Sequence, residues 1–177
     1  TIQEIRGRFE VDAEVPLQIS GETGRIADAA ALGRGVSEFA ATIDRLRPDL
    51  VLVLGDRIEA FAAASAASVG GLPVAHIHGG DRAEGVADEA MRHAITKLAH
   101  LHLPATTSSA ARIERMGERP DAIHVVGSPA VDGIAALRPL DDVRFRSLGS
   151  PRAILLHHGS GLEPRSEEHT SELQSRQ

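Results

Sequence analysis

The apolar stretch Leu50-Val51-Leu52-Val53-Leu54 runs straight into Gly55-Asp56-Arg57-Ile58-Glu59, and a later apolar stretch ends in His76-Ile77-His78-Gly79-Gly80-Asp81. An unbroken apolar strand belongs inside a parallel sheet, covered by helices on both faces. Charged and imidazole side chains released at the ends of two such strands mark the carboxyl edge of the sheet. Open α/β folds bind their ligands there.

The rest of the chain alternates in the same way. Ile26, Ala29, Ala30, Leu32, Val36, Phe39, Ile43 and Leu46 recur with a helical period that Pro48 ends. An Ala-rich helix over 57–69 stops at Gly70-Gly71. The pattern then predicts a strand over 73–78, a helix over 87–99, a strand over 100–104, and a helix over 107–116 opened by capping Thr and Ser residues. A strand over 123–126, a short helix over 131–136 and a strand from 153 follow, and alternation over 9–15 predicts one more strand. The fold class is α/β with a Rossmann-like parallel sheet.

Four regions are expected: an incomplete Rossmann-like domain over 1–137, a linker over 138–150, the start of a second domain over 151–163, and a tail over 164–177. The tail contains no Ala, Gly or Val and reads like a translated sequencing adapter, so it is set aside as non-native. Thr1 in place of a Met start points to a missing upstream piece.

With 177 residues, 42% of them hydrophobic, the chain can build one α/β core. It has no apolar run of membrane-spanning length and no signal peptide. The absence of Cys excludes disulfides and thiolate metal sites and fits a cytoplasmic setting. A net charge of -6 gives no footprint for nucleic acid.

Asp56 at a strand end can accept a substrate hydroxyl or take a proton, and Arg57 beside it can fork onto a phosphate at a helix start. The plainer alternative is a helix cap followed by a solvated charge. His76 and His78 lie on the same side of an extended strand, and Gly79-Gly80 lets backbone approach a ligand. Together with Asp56 or Asp81 they offer a metal-dependent phosphoesterase as an alternative. On the helix over 87–99, Met91, Ala94, Ile95 and Leu98 form the core stripe. Asp88, Arg92 and Thr96 make one polar row, and Glu89, His93 and Lys97 the next. That face is either an ordinary amphipathic surface, a dimer interface, or a site for a phosphorylated sugar. His100, His102 and His124 read as structural residues, and Ser128 in Gly127-Ser128-Pro129 is either a phosphate contact or a turn.

Taken together, Gly55-Asp56-Arg57-x-Glu59, His76-Ile77-His78-Gly79-Gly80-Asp81, Asp88-Glu89-x-x-Arg92-His93-Ala94-Ile95-Thr96-Lys97, His100-Leu101-His102 and Gly127-Ser128-Pro129-x-x-Asp132 resemble the UDP-N-acetylglucosamine 2-epimerase family, over residues 1–158. The resemblance is to the hydrolysing branch. It implies the N-terminal half of a GT-B-like fold of two Rossmann-like domains, with a UDP-sugar bound between them and no cofactor or metal. The implied reaction eliminates UDP from UDP-N-acetylglucosamine and adds water, releasing N-acetylmannosamine. A close relative in sialic or nonulosonic acid synthesis would act on a modified nucleotide sugar.

Matched motif by motif, the resemblance makes Asp56, His78, Asp88 and His157 the catalytic groups. Some members carry Glu where His78 stands, and others carry His. Substrate contacts fall to Arg57, Glu59, Gly79, Gly80, Asp81, Glu89, Arg92, His93, Lys97 and Ser128. The parent is expected to be a cytoplasmic homo-oligomer with no nucleic-acid or membrane partner. The chain by itself, holding one wall of the cleft, is expected to be inactive.

Overall fold

Three parallel strands, β1 (Val51–Leu54), β2 (Val74–Ile77) and β3 (Leu101–Leu103), lie side by side in that order. They are seen in a computed structural model that describes residues 2–82 and 87–155, the side chains of Ala87 and Asp88 excepted. The helices are α1 (Ile2–Arg6), α2 (Arg25–Leu46), α3 (Ile58–Val69), α4 (Ala87–Leu98), α5 (Thr107–Arg115) and α6 (Asp142–Ser147). The chain divides into two units, residues 1–132 and 133–177. The first unit carries the sheet and every residue of the site described below. Among the described residues no helix is long and apolar enough to cross a membrane.

Parallel strands need crossovers, and α3 and α4 supply them. Val53, Ala63, Ala64, Ala67, Val74, Ile95 and Ala99 form the buried core, with Phe39, Phe61, Leu72 and Leu98 packed around it. A second cluster of Leu17, Ala31 and Ala62 joins α2 to α3. Helix spacing there is set by missing side chains: a Cβ added at Gly35 would lie 2.6 Å from Leu17 and 2.9 Å from the Ala62 Cβ.

Several expected elements differ. Residues 9–15 form no strand, and helix α1 precedes them. Val15 and Leu17 instead pack on α2 and α3, and Pro16 between them has no N–H for a ladder. The 123–126 segment runs beside β3 through one bridge, His102 to Ile123, and the bonds His124 N–H to His102 O (2.9 Å) and Val126 N–H to Pro104 O (3.1 Å). Residues 131–136 hold only the last residue of one short 3₁₀ turn (Pro129–Val131) and the whole of a second (Ile134–Ala136). No strand forms over 153–155, and the remaining residues of that strand lie outside those described. Inside the expected linker is α6, capped by Asp141, whose Oδ1 accepts from Arg144 N at 2.8 Å.

The expectation that β1 is buried on both faces also fails. Val53 is buried beneath the helices, while Leu52 and Leu54 are each 56% exposed. Alternate residues of a strand face opposite ways, and no described segment covers the second face of β1.

Val53, His76 and His102 line up across the three strands. Both histidines are buried, and burial pushes their pKa values down, His76 to about 4. Above pH 6.5 the ring of His76 is neutral in both folded and unfolded chains, so its burial costs nothing extra. Below that the unfolded chain takes up a proton that the folded one refuses until about pH 4. Stability is therefore expected to drop by about 3 kcal/mol between pH 6.5 and 4 from His76 alone. Urea midpoints at pH 7.5, 6.0 and 5.0 in the native chain and His76→Gln check this, because the variant is expected to flatten the slope. An equal slope in both would remove His76 as its cause.

Candidate active site

The carboxyl edge of the sheet gathers Asp56, His78, Asp81, Arg92, Ser109 and Ser128 from five separate segments. Gly55 and His78 extend the ladder past β1 and β2, with Gly55 N–H donating to Ile77 O (3.0 Å) and His78 N–H to Leu103 O (3.1 Å). Asp56 follows Gly55, and its Oδ2 is ion-paired with Nη2 of Arg92 on α4. Arg92 Nη1 donates to the His78 carbonyl at 3.2 Å and lies 3.6 Å from Asp81 Oδ2. Its side chain is only 12% exposed, and that of Asp56 19%. This is a largely desolvated ion pair rather than a surface bridge.

Strand β2 ends at Ile77, and His78 takes a left-handed φ of 65°. That conformation costs a non-glycine residue about 1–2 kcal/mol and is re-aimed from the strand direction. The expectation that His76 and His78 work from one side is corrected by this turn. His76 Nε2 meets Gly55 O at 2.8 Å and Nδ1 meets Thr96 Oγ1 at 3.2 Å, inside the core. His78 Nδ1 instead reaches Asp81 Oδ2 at 2.7 Å, and Nε2 reaches Ser128 Oγ at 3.0 Å. With both nitrogens of His76 already engaged, the metal set of the phosphoesterase alternative loses a ligand. Among the described residues no three His, Asp or Glu side chains gather as a metal-binding group.

Asp81 is held from the far side as well. Ser109 Oγ, on α5, donates to Asp81 Oδ1 at 2.6 Å, and Arg112 Nη1 donates to Gly80 O at 2.7 Å. Burial pushes the Asp81 carboxyl up, but hydrogen bonds from Ser109 and His78 outweigh it and leave the pKa below its usual value. Neither Ser109 nor Arg112 is among the residues the motifs single out. The Thr106-Thr107-Ser108-Ser109 run signals only a cap, and Thr106 is indeed the N-cap, its Oγ1 accepting from Ser109 N at 3.1 Å.

Of the residues singled out in the sequence, Asp56, His78, Gly80, Asp81, Arg92 and Ser128 are joined through these contacts. Gly79 packs over His76 and Thr96. Arg57 is the N-cap of α3, and its Nε donates to Glu59 Oε2 at 3.2 Å. Glu89 lies 3.6 Å from His93 Nε2 and 3.7 Å from Arg82 Nε. Lys97 leaves its expected row and bonds Glu118 and Met116 O, next to buried His102, whose Nε2 is 3.3 Å from Glu118. Thr96 is fully buried against His76, so the Asp88–Arg92–Thr96 row is not a solvent-facing stripe. His100 Nδ1 accepts from Val74 N–H at 3.3 Å, a structural role. The side chain of Asp88, all of His157, and most of the 151–163 region and the 164–177 tail lie outside the described residues.

Residues 1–157 match the sequence profile of a family described as UDP-N-acetylglucosamine 2-epimerase. A Legionella pneumophila protein named UDP-N,N'-diacetylbacillosamine 2-epimerase (hydrolyzing) is 41% identical over 76% of this chain and 35% of its own length. A Neisseria meningitidis UDP-N-acetylglucosamine 2-epimerase is 37% identical over 72% of this chain and 33% of its own. The crystal structure of UDP-GlcNAc 2-epimerase from Neisseria meningitidis bound to UDP-GlcNAc superposes with a TM-score of 0.68, at 22% identity, over 76% of this chain and 37% of that one. The last likeness shows the fold: the described α/β sheet corresponds to part of a GT-B-type enzyme. The chain spans about a third of the length of the curated relatives it matches.

Proposed function

The chain belongs to the UDP-N-acetylglucosamine 2-epimerase family, and we propose that it supplies one wall of the active site of a hydrolysing enzyme of that family. The substrate is a UDP-linked 2-acetamido sugar, either UDP-N-acetylglucosamine or a diacetamido relative. The reaction breaks the C2–H and C1–O bonds to release UDP and leave a glycal, then adds water with the configuration at C2 inverted. One observation carries the reading: Asp56, Arg92, Asp81 and His78 meet at the carboxyl edge of a parallel sheet, in contact with one another. That edge is where such folds take up ligands.

In this reading His78 and Asp88 exchange protons with the sugar, and His157 protonates the departing oxygen from the second domain. Arg92 holds Asp56 in place beside them. Arg57 and the positive N-terminal end of α3 face the diphosphate. Gly79, Gly80, Glu59, Glu89, His93 and Ser128 complete the polar wall, while Lys97, bonded to Glu118 and the Met116 carbonyl, stands apart from it. The hydrolysing outcome is supported by the name of the Legionella relative.

The test uses a protein of the relatives' full length that contains this chain. Incubated with UDP-N-acetylglucosamine or UDP-N,N'-diacetylbacillosamine, it is expected to yield free UDP and the C2-inverted free sugar. His78→Ala is expected to lower turnover by about 10²–10⁴-fold, the usual loss on removing a general acid–base group. Retention of an epimerised UDP-sugar, or no UDP from either substrate, would overturn the hydrolysing assignment.

A further inference from the structure

Resting on that reading, we propose that Asp81 and Ser109 are positioning residues that lock His78 as the tautomer protonated at Nδ1, so that its Nε2 is the site's neutral proton acceptor. The argument is one of donors and acceptors along a single line of contacts. Ser109 Oγ donates to Asp81 Oδ1 at 2.6 Å, which leaves Oδ2 to face His78 Nδ1 at 2.7 Å. A carboxylate oxygen only accepts, so the proton between them belongs to Nδ1. A neutral imidazole with Nδ1–H has a lone pair on Nε2.

The other end of the line agrees. Ser128 Oγ accepts from Ala130 N–H at 3.3 Å, so its own hydrogen is free to point at His78 Nε2, 3.0 Å away. The hydrogen bonds then run from Ser128 through His78 to Asp81, which accepts a further one from Ser109 at its other oxygen. The line is also anchored. Arg112 fixes the Gly80 carbonyl at 2.7 Å, Arg92 holds the His78 carbonyl at 3.2 Å, and the 65° φ of His78 aims the ring away from the strand. The depressed pKa of Asp81 keeps it an anion at neutral pH. The His78 side chain remains 22% exposed, enough for a substrate to reach.

The proton movement balances. As C2–H breaks, its electron pair forms the C1–C2 double bond, and the C1–O bond to UDP breaks. The proton goes to Nε2, and the imidazolium formed is paired with Asp81. An ionised neighbour that orients and then stabilises a protonating imidazole is the physical logic of a base–carboxylate dyad. Neither Asp81 nor Ser109 needs to touch the sugar.

The experiment is a long-range ¹H–¹⁵N spectrum of the chain with ring-labelled histidine at about pH 8. The His78 signals are identified by their loss in His78→Gln. In the native chain the pattern of a protonated Nδ1 and bare Nε2 is expected. Asp81→Asn is expected to lower the ratio of the Nδ1–H to the Nε2–H tautomer by about tenfold or more, the worth of a hydrogen bond to a charged group. Ser109→Ala is expected to move it the same way by a smaller factor, about threefold, because it frees Asp81 to reorient without removing its charge. An Nε2–H tautomer in the native chain overturns the proposal. So does an unchanged ratio in Asp81→Asn, or, should that variant not fold, in Ser109→Ala. The measurement needs no turnover. Absence of UDP release with the expected tautomers sinks the proposed reaction alone, and UDP release with the wrong tautomer sinks this inference alone.

Discussion

Gly80→Ala is expected to destabilise the domain by about 2–5 kcal/mol and to dismantle the site. Two independent costs add. Gly80 sits at φ +77°, where a Cβ costs about 1–2 kcal/mol. The new Cβ would also stand 2.3 Å from the Ser109 carbonyl oxygen and 2.9 Å from Ile113, a fully buried residue. The nearest atom is backbone in a helix, so the turn and α5 must separate, an overpacking cost of about 1–3 kcal/mol. Separation pulls Ser109 from Asp81 and Arg112 from the Gly80 carbonyl, the two bonds that fix the turn. Urea unfolding measures the first effect, and the His78 tautomer spectrum the second. Gly117→Ala is the control: it too has positive φ, at +89°, but nothing within 4 Å of its Cβ. It should therefore cost only the backbone share. Equal losses in both variants would show that the close approach to α5 carries no weight.

The same turn marks where sequence reading succeeds and stops. Apolar runs ending in Gly and charge place β1, β2 and the sheet's carboxyl edge correctly, because strand burial and turn chemistry are local properties. That Asp56, His78, Asp81 and Arg92 meet could be anticipated from their places at strand ends and the start of α4. Ser109 and Arg112 could not, since their part in the site depends on α5 packing against Gly80, a tertiary contact that no period records. The separation of His76 from His78 was hidden for a related reason: one residue entering the left-handed region reverses what strand alternation implies. Leu52 and Leu54 show the complementary failure. Their composition reads as doubly buried strand, yet burial depends on what covers the face, and the sequence of the strand does not contain that.

Arg92→Ala is expected to be as severe, for an electrostatic reason. Its guanidinium pairs with Asp56, approaches Asp81 at 3.6 Å and donates to the His78 carbonyl at 3.2 Å. Truncation leaves two carboxylates and a carbonyl facing one another with no cation between them. Removing one partner of a buried pair costs about 3–5 kcal/mol, because the survivor stays desolvated and uncompensated. A solvated surface arginine would change stability by no more than about 0.5 kcal/mol, so the size of the effect separates the two readings. Arg92→Lys keeps the charge but lacks the planar fork needed to serve Asp56 and the carbonyl together. It should recover part of the stability and little of the UDP release proposed for a protein of the relatives' full length. The double variant with Asp56→Ala should be less destabilised than the sum of the single losses, by about 1–3 kcal/mol. Strict additivity would mean that Asp56 and Arg92 act independently. The carboxyl edge would then lack the paired acid and cation on which its chemistry has been argued.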